Sequence, residues 1–450
     1  MWSVARGDSA VVKALLGDNY GHKPDEFDAI WSAVKLASVY YEVDCLSMLI
    51  SRAKHCQKGV LNPESVYKCL RSAVTNDHCR RLHRLLRHGK EWMEAFRLTV
   101  ACLEKAGATP RPQGYDCGSG IQDMTVLFQA VSSFSDIEMI HHLLSSGWGQ
   151  ELSVSCLRIT PTIRAMCEEN HELFELLLQY DGDVFDSQTL DFGNGPIVHN
   201  AYTWIASSKR SNLRIVERLR ALGVPYVENE SMSPFEMSVR NGQFQLANFF
   251  LNSCEANIER LIFDEFCDDV TATAFGSHLP LTLLGGLILE HSIRALPAIK
   301  YLLHNQVRAP SFIVNPKKRW TALHAAVFIH EDQYDGEAIS RLLSLLLEVS
   351  QGLKFLECKD EFMGGTPLHW AAMCGNDNAV KILLEKQANI WETERNGLNV
   401  VQLVETKLEA LKKVEGEPGT TRKRNNETRR LDNVLALLEQ AKAEEANKEH

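Results

Sequence analysis

Two short combinations of histidine, cysteine and carboxylate residues could support metal chemistry if their spacing were right. His171 opens the run HELFE, but the zinc-protease motif H-E-x-x-H needs a second histidine where this chain has Glu175. Cys79 and His83 lie four residues apart and so share one helix face, yet no second Cys/His pair follows to complete a zinc site. Neither combination predicts a metal centre.

Motifs for nucleotide binding or nucleophilic catalysis give the same result. Asp191, Phe192 and Gly193 match the metal-binding triplet of protein kinases, but the Gly-rich loop, lysine strand and catalytic loop that belong with it are missing. Neighbouring acids such as Asp268 and Asp269 would point about 100° apart on a helix, so they do not converge on one substrate. We therefore predict no catalytic residues, no metal and no cofactor, in a protein that is not an enzyme.

Charge and hydropathy restrict the partners. The 450 residues carry a formal net charge of −10, which disfavours direct nucleic-acid binding. The longest apolar run, Leu279–Leu289, is shorter than the about 20 residues that span a bilayer, and the N-terminus lacks a signal-peptide pattern. We expect a cytoplasmic protein that contacts no membrane. Nuclear import is the alternative, because Arg422–Arg424 and Arg429–Arg430 form a split basic cluster.

A helix-pair pattern organises the chain and is clearest in Thr366–Asn389, TPLHWAAMCGNDNAVKILLEKQAN. Thr366 and Pro367 are typical of a helix start, since the hydroxyl accepts a hydrogen bond from the backbone and proline fits the first turn. Gly375 breaks the chain, and apolar residues at helical spacing follow up to Leu384. The segment predicts two helices joined by a tight turn.

The same pattern recurs along the chain. The start Thr321-Ala-Leu-His-Ala-Ala lies 45 residues before Thr366, and a weaker copy begins at Asn399. A copy that begins at Leu70 is predicted to place Leu82, Leu85 and Leu86 on its second helix. Other helix starts or helix pairs are indicated at Ile30, Thr125, Thr160, Ser211, Ser233 and Leu281.

The segments at Thr321 and Thr366 resemble the ankyrin repeat, which has a period of about 33 residues and a T-P-L-H-x-A start. The resemblance implies an all-α, curved ankyrin-repeat solenoid of about ten stacked helix–turn–helix units, in which neighbours share one core. The expected organisation is a single array over 1–450, with a partial first repeat at 1–20, an inserted loop at 106–121, the best-formed repeats at 321–410, a charged loop at 414–430 and a C-terminal capping helix at 431–448.

Proteins that resemble this family usually bind a partner through the loops, or fingers, that precede each first helix and through the first-helix surface. Mapped onto this chain, those positions predict the partner-binding residues Lys317, Lys318, Arg319, Trp320, Phe362, Met363, Met373, Trp391 and Arg395. Aromatic, methionine and arginine residues are common interface anchors, and the cations suit an acidic–aromatic peptide or an acidic protein face. The alternative for the three aromatic residues is packing against adjacent fingers.

Other polar residues have structural interpretations. In ankyrin repeats the histidine of the T-x-L-H start, here His324 and His369, typically bonds backbone and fixes a turn. A basic set on one predicted outer helix is expected to be a solvated face: Arg80, Arg81, Arg84, Arg87 and Lys90.

Two functional hypotheses follow. The first is a monomeric scaffold or adaptor that binds a partner protein, with transcriptional co-regulation as one role. The second is the sensor or autoinhibitory array of a larger signalling protein or enzyme.

Overall fold

The computed structural model shows a mostly helical protein. Two compact units divide the chain, one of residues 1–190 with 198–225 and the other of 191–197 with 226–450. No helix within the described residues is long and apolar enough to cross a membrane. The structure describes residues 1–17, 24–56, 61–75, 78–111, 124–133, 135–156, 159–185, 188–191, 196–208, 213–228, 233–262, 280–290, 292–305, 312–328, 336–413 and 421–448.

The first unit is built from helices, with short 3-10 turns at Gly89–Glu91 and Trp148–Ser153. Strands Gln188–Asp191 and Pro196–His199 lie at the boundary of the two units. The α-helices of the first unit are Trp2–Ala5, Ser9–Leu15, Pro24–Tyr40, Val43–Cys56, Pro63–Val74, His78–His88, Trp92–Ala106, Val126–Ser132, Ile137–Ser145, Pro161–Cys167, His171–Gln179, Ala201–Ser207 and Leu213–Ala221.

Two helix starts in the first unit, at Thr125 and Thr160, lie where the sequence predicts them. The hydroxyl of Thr125 accepts a hydrogen bond from the backbone N–H of Phe128 at 3.2 Å, and that of Thr160 accepts one from Ile163 at 3.2 Å. Each capped helix packs against the helix that follows it and against the next first helix along the chain. This order explains why one continuous apolar cluster extends through most of the unit.

The prediction for the copy at Leu70 is wrong in its second helix. Helix Pro63–Val74 packs against helix Trp92–Ala106, in which Phe96 and Leu103 are buried. Gly107 follows directly and has φ 115°, the left-handed conformation that ends a helix. The intervening helix His78–His88 is an insertion. The sequence offers two segments with apolar residues at helical spacing, and the later one fills the core. Leu82, Leu85 and Leu86, which the prediction placed on the second helix of this repeat, are 52%, 42% and 79% exposed.

The predicted inserted loop at 106–121 is described only in part. Helix Trp92–Ala106 ends at residue 106, which is the first residue of the predicted loop. Residues 107–111 are irregular, and residues 112–121 lie outside the described residues.

The second unit also consists of helices, with 3-10 turns at Ile293–Ala295 and Pro316–Lys318. Its strand pairs are antiparallel, Leu261–Ile262 with Leu281–Thr282 and Ile313–Asn315 with Trp320–Thr321. The α-helices of this unit are Pro234–Arg240, Phe244–Ser253, Leu283–Leu289, Leu296–Leu303, Ala322–Val327, Gly336–Glu348, Ser350–Lys354, Pro367–Met373, Asp377–Glu385, Val400–Lys413 and Thr421–Lys448.

The charged loop predicted at 414–430 is wrong over its second half. Helix Thr421–Lys448 begins ten residues before the predicted capping helix, while 414–420 lie outside the described residues. Arginine, lysine and glutamate are good helix formers, and no glycine or proline follows Gly419 to stop the helix from starting early. Leu431, Val434 and Leu438 are buried as the helix packs against Asp377–Glu385 and Val400–Lys413.

Candidate functional site

Three fingers precede or follow the two best-formed helix pairs, and we define them as residues 313–321, 358–366 and 392–399. The first finger is a hairpin whose strands pair Ile313 with Thr321. The side-chain oxygen of Asn315 accepts a hydrogen bond from the backbone N–H of Lys318 at 2.9 Å and closes the turn. Arg319 has φ 50°, which reverses the chain into the second strand. Lys317 and Arg319 are exposed at this tip.

The second finger is organised around the carboxylate of Asp360, a residue that is only 3% exposed. One oxygen accepts hydrogen bonds from the backbone N–H groups of Phe362 at 2.5 Å and Met363 at 3.0 Å. The other accepts from the backbone N–H of Gly365 at 3.0 Å and from the indole N–H of Trp370 at 2.8 Å. A single buried carboxylate thus fixes the turn and ties it to the helix that follows.

The third finger repeats this arrangement with Glu394, which is 5% exposed. Its carboxylate accepts from the backbone N–H groups of Asn396 at 2.9 Å and Leu398 at 3.3 Å. We did not predict Asn315, Asp360 or Glu394 from the sequence. The available signal is a polar acceptor five or six residues before a helix-capping residue, as Asp360 stands before Thr366.

Backbone hydrogen bonds stack the fingers side by side. The N–H of Glu361 donates to the carbonyl of Lys318 at 2.8 Å, and the N–H of Arg395 donates to the carbonyl of Met363 at 2.8 Å. The guanidinium of Arg395 also donates to the carbonyl of Glu361 at 2.9 Å. This stacking brings together six of the nine predicted binding residues: Lys317, Lys318, Arg319, Phe362, Met363 and Arg395.

Trp320 does not belong to the exposed surface. It is 1% exposed and contacts Phe328 and Trp370 edge-on, with ring centroids 6.0 and 6.2 Å apart. Its prediction as an exposed anchor is wrong, and packing is the correct alternative, because strand pairing turns its side chain towards the first helices. Phe362 is half-buried against Trp370 at 6.3 Å, and the ammonium of Lys318 lies 5.3 Å above its ring.

Met373 and Trp391 contact the C-terminal part of the chain. The indole N–H of Trp391 donates to Glu445 at 2.8 Å, and the ammonium of Lys442 lies 5.7 Å from the indole ring. The carbonyl of Met373 accepts from the ammonium of Lys407 at 2.7 Å. Trp391 remains 49% exposed, but its polar edge is already occupied.

His324 and His369 have the structural role that the resemblance implies. Each is buried, and its Nδ1 accepts a hydrogen bond at 3.2 Å from the backbone N–H three residues earlier, of Thr321 and Thr366. Nε2 of His324 lies 3.2 Å from the carbonyl of Gly365 and links neighbouring repeats. Burial lowers the pKa of His324 to about 4 and lowers that of His369, so both rings are neutral at pH 7.

These contacts arrange exposed charged and apolar side chains on turns that are closed by hydrogen bonds. In the part of the chain that the structure describes, no group of three or more histidine, cysteine or carboxylate residues could hold a metal ion. The arrangement is suited to recognition by surface contact.

Residues 291–394 match the family model for ankyrin repeats, in three copies. This confirms the resemblance for that part of the chain. No curated protein matches the chain. Among solved structures, a chain in the complex of a predatory endopeptidase from Bdellovibrio bacteriovorus with an immunity protein is similar at 14% identity. The match covers 46% of this chain and 92% of that chain with a TM-score of 0.31, which supports no inference.

Proposed function

From the three ankyrin repeats of residues 291–394, we propose that the protein binds a partner protein through the exposed tips of the stacked fingers. It acts as a scaffold or adaptor without catalytic activity of its own. The observation that carries this proposal is the pair of 2.8 Å backbone hydrogen bonds between fingers, from Glu361 to Lys318 and from Arg395 to Met363. Because these bonds fix the tips before binding, little ordering entropy opposes a partner that fits them.

The chemistry of the tips favours an acidic partner with an apolar group. Lys317 and Arg319 are exposed on the first finger and Arg395 on the third, whereas Glu361 is the exposed acid of the second. Beside them lies the partly exposed ring of Phe362. An acidic–aromatic peptide or an acidic protein face would pair with the cations and cover the ring.

The cellular setting is part of the proposal. We place the protein in the cytoplasm, with the basic cluster at Arg422–Arg424 and Arg429–Arg430 as a candidate signal for nuclear entry and a co-regulatory role. A second candidate is the sensor or autoinhibitory ankyrin array of a larger signalling protein or enzyme, and the contact of Glu445 in helix Thr421–Lys448 with Trp391 supports it as an example of a repeat residue covered from within the chain.

Charge reversal at the tips tests partner binding. The variant Lys317→Glu, Arg319→Glu, Arg395→Glu should lose about 2 kcal/mol of binding free energy, roughly a thirtyfold loss of affinity, because three attractive contacts become repulsive. A matched control reverses three exposed lysines elsewhere in the same unit, Lys354, Lys381 and Lys386.

Affinity capture with quantitative proteomics compares the two variants with the parent protein. The proposal requires at least one protein that the parent and the control retain and the fingertip variant loses. Equal recovery of every captured protein by all three would contradict it. Circular dichroism must show equal helix content in the three samples.

A further inference from the structure

The end of helix Thr421–Lys448 extends beyond the core of the second unit. Leu438 is the last of its described residues that is buried, and all of residues 439–447 except Ala441 are exposed. We call residues 439–447 the terminal strap. With a rise of 1.5 Å per residue, Glu445 lies about 10 Å along the helix past Leu438. Helix ends without packing fray readily, so the contacts that hold the strap decide whether it can move.

Trp391 holds the terminal strap through two side-chain contacts. Its indole N–H donates to a carboxylate oxygen of Glu445 at 2.8 Å, and the ammonium of Lys442 lies 5.7 Å from the centre of its ring. Within the described part of the chain, the strap makes no other polar side-chain contact with a different element. Trp391 itself remains 49% exposed. Because exposed contacts of this kind stabilise weakly, the strap can leave the indole at a small cost in free energy.

The inserted helix His78–His88 shows the opposite kind of attachment. Its Arg84 is 5% exposed, and the guanidinium donates to the carbonyls of Val39 at 2.9 Å and Ala73 at 3.2 Å. The solvated face predicted for this helix is therefore wrong at Arg84. Buried hydrogen bonds of a charged group are costly to break, so this helix is fixed, whereas the terminal strap is not.

Helix Thr421–Lys448 runs towards the fingers. Near its start, Arg430 lies against Gly375, in the turn between the two helices of one repeat. Its far end lies at Trp391, the residue directly before the third finger. The backbone of Trp391 is held in place, since its N–H donates to the side-chain oxygen of Asn389 at 2.9 Å. The strap is thus the side of this contact that is free to move.

We propose that the terminal strap is an autoinhibitory cover, which occupies Trp391 until a partner of the fingers displaces it. This inference rests on the proposed function, in which the fingers bind an acidic–aromatic segment. The strap supplies the acidic part from within the chain, as the adjacent carboxylates Glu444 and Glu445, and Arg395 of the third finger follows Trp391 by four residues. Once uncovered, the indole offers the partner an aromatic anchor. Because only the uncovered fraction binds, the strap lowers the affinity for the partner.

Binding of a defined peptide to the full chain tests the proposal. The strap variant Lys442→Ala, Glu445→Ala removes both contacts and keeps good helix formers. The probe is a labelled peptide of about 12 residues in which glutamate and phenylalanine alternate with serine and glycine. We expect the strap variant to bind it about fivefold more tightly than the parent, as suits the loss of two exposed contacts. The control Glu405→Ala, Lys412→Ala removes one acid and one base from exposed positions of helix Val400–Lys413 and should bind like the parent.

Hydrogen–deuterium exchange of the full chain observes the terminal strap directly. Without the peptide, the backbone amides of residues 440–447 should exchange about fivefold faster in the strap variant than in the parent and the control. In the parent, saturating peptide should speed exchange at the same amides, because the strap leaves Trp391, while it slows exchange in the fingers.

Three results would overturn the inference: equal affinity of the strap variant and the parent for the peptide, unchanged exchange at 440–447 in the strap variant, or exchange there that the peptide slows. The fingertip variant separates this inference from the proposed function. If the fingertip variant loses the peptide and the strap variant shows no gain, the autoinhibitory cover is wrong and the proposed function stands. If the fingertip variant binds the peptide like the parent, the proposed function fails, and with it the site that the strap would cover.

Discussion

Replacing Asp360 by alanine removes the carboxylate that organises the second finger. Of its four donors, the N–H groups of Phe362 and Met363 lie at a partly exposed turn where water can replace the acceptor. The N–H of Gly365 and the indole N–H of Trp370 are buried and would be left unsatisfied. Two buried donors that lose a charged acceptor cost roughly 1.5–2 kcal/mol each, so we expect Asp360→Ala to lose about 3–4 kcal/mol of unfolding free energy.

Urea denaturation followed by tryptophan fluorescence measures this loss in the unit that contains residue 360. Asp360→Asn keeps one acceptor oxygen and should lose about half as much. Glu361→Ala removes the neighbouring exposed carboxylate and should change stability by less than about 0.5 kcal/mol. A loss below about 1 kcal/mol for Asp360→Ala, or equal losses at positions 360 and 361, would refute the assignment of the finger's stability to this carboxylate.

Two further predictions concern the packing beneath the fingers. Trp320→Ser should lower the free energy of unfolding by about 3–5 kcal/mol, because it removes a buried ring from an aromatic cluster. Trp391→Ser, at a half-exposed indole, should lower it by less than about 1 kcal/mol. Thermal unfolding of the two variants compares these losses directly. The free energy of unfolding should fall as the pH is lowered. The reason is that the pKa of His324 is about 4 in the folded protein and about 6.5 in the unfolded chain. The contribution is complete above pH 6.5 and is lost as the pH falls through 4, by up to about 3 kcal/mol, and urea midpoints across this range would show it.

Each of these has its own control. Equal costs for the two tryptophans would mean that Trp320 is not in the core. For the histidine, the variant His324→Asn keeps an acceptor for the backbone N–H of Thr321 but cannot take up the proton. Its stability should depend less steeply on pH than that of the parent, and identical slopes would exclude His324 as the titrating group.

Local signals in the sequence were sufficient for the repeat starts that begin with threonine. Thr125, Thr160 and Thr321 cap helices through their hydroxyl groups. They could be predicted because the whole signal, a hydroxyl residue followed by an apolar helical pattern, lies within a few residues. The histidines of the two best copies could be interpreted in the same way.

The sequence does not show which of two similar segments of the chain packs into the core. Both Leu82–Leu86 and Phe96–Leu103 have helical apolar spacing, and only packing decides which of them fills the core. A signal for the second existed, since Leu103-Glu-Lys-Ala-Gly107-Ala108 resembles the end of the helix pair near Ala388. The burial of Trp320 depends likewise on which way a two-residue strand faces.

The polar contacts that hold the fingers were the hardest to foresee. An aspartate in a turn is ordinarily an exposed residue, and the spacing of Asp360 from Thr366 does not by itself show that its carboxylate is buried. Its burial follows from the tryptophan ten residues later, whose indole N–H needs an acceptor.

Hydrogen–deuterium exchange of the full chain, with and without a partner isolated by capture, tests the central claim most directly. If the stacked fingers are the binding surface, the partner should slow exchange at the backbone amides of 313–321, 358–366 and 392–399, which the hydrogen bonds of Lys318, Glu361 and Arg395 join into one surface. Slowed exchange confined to other segments, with these three fingers unchanged, would contradict it.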